Sequence, residues 1–190
     1  GASPELSAPT PPDWTRAIET ALGRDGSLSS RQAAAERALS LAQAAGWQDS
    51  RAAFSQFALG RVFAASDPER AFDAFRAAST LYARLPGGEL QAAHVDMQLA
   101  AMALASGLSN EAIGLADRAI PVVKRHDNPA LLATLMLIKA EALEQLGDLV
   151  AAGALRLDSA PYASYGFGSD SVVKARMRDI ATVAAQASTG

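Results

Sequence analysis

Residues 51–82 read RAAFSQFALGRVFAASDPERAFDAFRAASTLY. Asp67-Pro68 divides this stretch in two. Ahead of it Leu59, Gly60 and Phe63 fall at helical spacing, and behind it Ala71, Phe75 and Ala78 do the same. Asp67 offers a side-chain acceptor to the first turn of a helix, and proline fits the first helical position, where its missing N–H is not needed. The pattern predicts helices over 49–65 and 68–84. A connection this short makes them antiparallel neighbours.

The same punctuation extends both ways. Ser29-Ser30-Arg31-Gln32 offers a capping box, Asn128-Pro129 repeats the Asp-Pro arrangement, and Gly147-Asp148 combines a helix stop with the next cap. Gly46 and Gly107 suit left-handed stops, and Pro86-Gly87-Gly88 breaks the chain between two long segments. Helices are predicted over 13–23, 30–45, 49–65, 68–84, 88–106, 110–125, 129–146, 148–156 and 170–186. Alanine, the best helix former, fills 44 of the 190 positions, and no run alternates with period two. The fold class is all-α.

Helix pairs recur. Leu59-Gly60-x-x-Phe63 aligns with Leu99-Ala100-x-x-Ala103 and Lys139-Ala140-x-x-Leu143. The second helices align through Ala35, Ala71, Ala112 and Ala152, which lie 36, 41 and 40 residues apart. Small residues at Gly60, Ala100 and Ala140 admit a close second helix, and Phe63, Phe75, Leu99 and Leu143 fill the layer between. One pair cannot bury its apolar stripe alone, so pairs stack.

Over residues 13–159 the chain resembles the tetratricopeptide repeat (TPR) family, in its extended-helix form, since the period is near 40 rather than about 34. The resemblance implies a right-handed superhelix of antiparallel helix pairs. The best copy is Arg51 to Tyr82, followed by Glu89 to Val123 and Ala130 to Ser159. The pair at about 13–45 is degenerate in its first helix and suits a capping unit. Arg156 and Ser159 stand where the pattern wants apolar and small residues, which predicts a short or frayed helix there. Pro121 predicts a kink or an early end in its helix.

Composition excludes several classes. The chain is 49% apolar and 19% charged, with a net charge of −3. That suits a packed core and argues against a nucleic-acid partner. It has no cysteine and only two histidines, His94 and His126. Thiolate chemistry and zinc fingers are therefore absent, metal sites and catalytic triads have little raw material, and no cofactor is expected. No apolar run is long enough for a membrane span. Residues 1–12, rich in Pro, Ser, Ala and Thr, read as a flexible leader. Such leaders accompany export, so a periplasmic or otherwise exported location is expected, with the cytoplasm as alternative.

Leu157 to Asp170 places three aromatics among glycines and small residues. It reads as a loop, 160–169, that packs over the end of the array or lies in its groove. The helix at 170–186 has Val172, Ala175, Met177, Ile180 and Val183 on one face and is read as a cap, with 187–190 as a tail.

No catalytic constellation emerges, and the function expected is non-enzymatic. Glu141 and Glu144 share a helix face, but a paired-carboxylate site needs a second helix opposite them. TPR arrays bind through the surface made by their first helices. Projected onto this chain, that surface takes Phe54, Phe57 and Arg61, then His94, Met97 and Leu104, then Leu137, Glu141 and Glu144. An apolar stripe edged by Arg61 on one side and acids on the other suits a peptide or helix of another protein. Helical spacing alone equally allows the apolar members to be core. Two further functions fit the pattern: a module binding a small ligand in an enclosed apolar cavity, and a unit that assembles with copies of itself through its ends.

Overall fold

A computed structural model describes residues 10–167. These residues form eight helices and no strand: α1 Pro12–Leu22, α2 Leu28–Ala44, α3 Ser50–Phe63, α4 Pro68–Arg84, α5 Glu89–Ala105, α6 Ser109–Arg125, α7 Pro129–Gln145 and α8 Leu149–Phe167. The leader through residue 9, the last two residues of the expected 160–169 loop, the capping helix at 170–186 and the tail lie outside the described residues.

The starts of the helices follow from their caps. Asp67, Asn128 and Asp148 accept from the backbone N–H of Arg70, Leu131 and Ala151 at 3.2, 3.1 and 3.1 Å. Asp49 caps α3 in the same way through the N–H of Arg51 at 2.9 Å. The stops also sit where turn chemistry puts them. Gly46, Gly107 and Gly147 have φ of 69, 73 and 84°, which only glycine adopts without strain. The cap of α2 is Ser27 rather than Ser29. Its hydroxyl accepts from Ser30 N at 3.1 Å. Gln32 is thereby freed from a capping box and donates instead to Val62 O at 3.0 Å and Ser66 Oγ at 2.9 Å, tying α2 to the end of α3.

The chain divides into two compact units, with the boundary between Ala92 and Ala93. In the first, α1 packs on α2, α2 on α3, and α3 on α4. Gly60 of α3 and Phe75 of α4 meet without room for a side chain on the glycine. Ala35, Ala38, Ala71 and Ala78 are fully buried, so close helix approach is the rule throughout the unit. Trp14, Ala17 and Ile18 of α1 form a cluster with Ala38 and Ala58, against which Leu22, Leu41, Trp47 and Phe54 pack. The helix that looks degenerate in sequence is thus held by an indole in addition to small residues such as Ala17 and Ala21.

In the second unit α6 packs on α7 and α7 on α8. Leu131 through Ile138 of α7 are all buried, as expected for a helix with neighbours on opposite sides. Ala100, Ala112, Ala140 and Ala152 are fully buried.

Pro121 does not end its helix early but lies inside α6, and Pro161, in the stretch expected to be a loop, lies inside α8. Both prolines are exposed, as are Asp117 and Leu157, the residues whose carbonyls lose their partner. Water can satisfy carbonyls on that side. The helix expected to end near 156 runs on to Phe167, through most of the expected loop. Arg156 does not fray it, because its guanidinium reaches back to α7. Ser159 is 2% exposed and turns its hydroxyl onto the carbonyl of Arg156 at 2.7 Å, so it fits a buried position without an orphan donor.

Candidate functional site

Helix α3 buries most of its circumference, including Ala53, Ser55, Ala58, Leu59 and Val62. What it leaves open, beside Ser50 and Gln56, is a ladder at i, i+3 and i+7: Phe54, Phe57 and Arg61. The two phenyl rings stack, with centroids 5.9 Å apart and planes 20° from parallel. Phe57 also leans on the buried ring of Phe75, at 5.8 Å. The exposed guanidinium of Arg61 lies 5.8 Å from the centroid of Phe57, in cation–π range. Both phenylalanines are half-buried. They are fixed from beneath and present one face, with a positive charge at its end.

The ladder is set on a rigid base. Trp14 Nε1 of α1 donates to Ser55 Oγ of α3 at 2.8 Å, and Ser55 Oγ donates onward to Arg51 O at 2.8 Å. Trp14 and Trp47 meet edge to face at 5.6 Å. The Arg51 guanidinium lies 3.7 Å above Trp47, reaches Asp49 Oδ2 at 2.7 Å and donates to Thr10 Oγ1 at 3.1 Å. Arg51 and Asp49 are both buried, so this pair works in a low dielectric. Sequence reasoning singled out none of Trp14, Trp47, Asp49, Arg51 or Ser55 as a linked group. Asp49 and Arg51 do stand at an N-cap spacing, which was the available signal. Trp14 and Ser55 are 41 residues apart and carry none.

The second unit holds the other expected contact residues. His94 is exposed on α5. Met97, Leu104 and Leu137 are 5, 8 and 7% exposed and belong to the interior. Glu141 and Glu144 come together on α7, and the residue opposite them is a cation. Arg156 Nε donates to Glu144 Oε1 at 2.8 Å, and another guanidinium nitrogen donates to Glu141 Oε2 at 3.1 Å. The hydrogen bond from Arg156 holds the Glu144 carboxyl below its ordinary value, and the same contacts raise Arg156. The two glutamates form an ion-pair fork joining α7 to α8. Their negative charge is spent on that arginine. A second bidentate pair, Arg118 with buried Asp96 at 2.7 and 3.0 Å, joins α6 to α5. Its members lie 22 residues apart with no motif around them, which is why the sequence does not announce it.

Among the described residues no three His, Cys, Asp or Glu side chains converge as metal ligands. Among the same residues no helix is long and apolar enough to cross a membrane. An open cleft of about 330 Å³ lies between α1 and α2, where Arg16 and Arg37 both reach Asp13, at 2.7 and 3.8 Å. Comparison with known protein families and with curated proteins finds no match.

Proposed function

We propose that this chain is a non-enzymatic docking module of tetratricopeptide type, which takes a peptide or helix of another protein on the open side of α3. The observation that carries this is the ladder of Phe54, Phe57 and Arg61: two stacked, half-buried rings continued by an exposed guanidinium. Rigid aromatics and arginine supply most of the energy at protein interfaces, because they offer large area with few rotamers to freeze. The buried network of Trp14, Ser55, Arg51 and Asp49 behind them holds the backbone still, which lowers the ordering cost of binding. The partner's chemistry follows from the ladder. An apolar side chain lies across the rings, and a carboxylate meets Arg61.

A displayed library of random peptides, selected on the full chain, tests this. Enriched peptides are expected to pair an apolar anchor with an acidic residue. Their binding is expected to fall at least tenfold with Arg61→Glu and with Phe57→Ala, at unchanged circular dichroism. Arg61 is exposed, so its substitution leaves the fold intact and keeps the test decisive. Absence of enrichment, or binders indifferent to both changes, overturns the proposal. Placement outside the cytoplasm is part of the same proposal and rests on the composition of residues 1–12. Fractionation that finds the protein in the cytoplasm removes it.

A further inference from the structure

Helix α8 is apolar on both of its sides. One side, through Ala152, Ser159 and Ala163, is buried where the helix packs on α7. The other leaves Leu149, Val150 and Leu157 exposed by 68, 86 and 77%, with Leu146 of the preceding turn at 51%. Gly153, Ala154, Ala160 and Pro161 complete the same strip at helical spacing. It contains no Lys, Arg or Glu. The other large apolar side chains open to solvent among the described residues include Leu28, Leu108 and, on α8 itself but off this strip, Tyr162. A helix with water on one side turns polar residues toward it, and a helix apolar all round is a covered one.

The strip has bulky ends and a shallow middle. Gly153 is exposed inside the helix, and a Cβ added there would meet nothing within 4 Å. Glycine at such a place weakens a helix relative to alanine, and nothing packed on it demands it. The order of residues is also symmetric about the point between Gly153 and Ala154. Val150 and Leu157 stand at equal distances on either side.

We infer that this side of α8 is a two-fold contact between two copies of this chain. The two α8 helices cross antiparallel at Gly153–Ala154, and Val150 of each meets Leu157 of the second copy. Small residues at the crossing let the axes approach, and the bulky flanks interdigitate. In this register Asp148 falls level with Ser159 of the second copy and Asp158 level with its Leu149, so no like charges face each other. The net charge of −3 adds little repulsion at a distance. Exposures of this size on four leucine or valine side chains let two copies together bury roughly 1,000 Å², the lower bound for a specific interface. The dimer is therefore reversible rather than obligate.

Sedimentation of the full chain from micromolar to millimolar concentration tests this. A concentration-dependent shift from monomer to dimer is expected, and it is expected to vanish in Val150→Glu/Leu157→Glu, whose sites are open to solvent and whose helicity should not change. The chain has no cysteine, so Ala154→Cys introduces a single thiol beside the two-fold axis. On mild oxidation it is expected to cross-link far faster than Asp148→Cys, whose two thiols stand roughly 16 Å apart along the crossing. A wild type that stays monomeric, a dimer that survives the double substitution, or equal cross-linking at the two positions each overturns the inference. A monomer that the double substitution destabilises assigns the strip to the chain's own residues 168–190. A monomer whose stability is untouched leaves it to another protein. Both results remove the dimer.

Discussion

The ring of Phe75 on α4 occupies the place where a side chain on Gly60 of α3 would stand: an added Cβ would lie 2.6 Å from the ring. Phe75 is 1% exposed and has nowhere to retreat. Gly60→Ala is therefore expected to lower stability by about 1–3 kcal/mol through overpacking. Helix propensity alone demands the opposite, a gain of up to about 1 kcal/mol. Urea unfolding decides between them. Adding Phe75→Leu is expected to recover part of the loss, a coupling that a double-mutant cycle measures.

Ser55→Ala is expected to cost about 1–3 kcal/mol, because it leaves the buried Trp14 N–H without its acceptor. Pairing it with Trp14→Phe removes donor and acceptor together. The hydrogen-bond part of the loss should then disappear, leaving only the change in packing. A double variant that loses the full sum of the single effects would deny the coupling.

Charge pairs in the first unit should divide by burial. Arg51 and Asp49 have side chains 4 and 9% exposed, and replacing Arg51 by Met strands a buried carboxylate, at an expected cost of about 3–5 kcal/mol. Arg37 reaches Asp13 at 3.8 Å with side chains 62 and 54% exposed, and Arg37→Ala is expected to change stability by less than about 0.5 kcal/mol. Equal effects at the two sites would contradict the burial difference.

Tyr82 governs part of the alkaline limit. Burial pushes its phenol from 10.0 up to about 12. The raised value means that the folded chain holds the proton more tightly than the unfolded one. The stability this contributes is complete below pH 10 and is lost as pH rises toward 12. Tyr82→Phe is expected to flatten the stability profile across that window, and an unchanged slope would exclude Tyr82 as its source.

Glu144 acts at the other end of the scale, with the opposite sign. The hydrogen bond from Arg156 lowers its pKa from 4.5, so its contribution is present above that value and lost as pH falls through the lowered one. Arg156→Gln is expected to return the carboxyl toward its ordinary titration, read by carboxyl-carbon NMR. Glu144 that titrates unchanged in that variant would deny the contact.

The helices were legible where the chain writes its own boundaries. Asp67-Pro68, Asn128-Pro129 and Gly147-Asp148 act locally, through one side-chain oxygen and one backbone angle, so a sequence displays them directly. The end of α8 was not legible, because what sustains it past Arg156 is a contact with Glu141 and Glu144, 15 and 12 residues away. Pro121 misled for a related reason. The cost of a helical proline depends on which side its orphaned carbonyl faces, and exposure is a tertiary property. The aromatic ladder divided in the same way. Phe54, Phe57 and Arg61 kept an open side, whereas Met97, Leu104 and Leu137, at equally plausible spacings, went inside. Periodicity identifies a stripe but not whether another helix covers it.

The position of α7 between α6 and α8 sets an order of local opening in the second unit. Its amides are released to solvent only after a flanking helix has come away, whereas α8, which among the described residues packs by one side on α7, can detach by itself in the monomer. Deuterium should therefore enter α8 first and Leu131–Ile138 last, with those eight residues reporting the full free energy of unfolding for their unit.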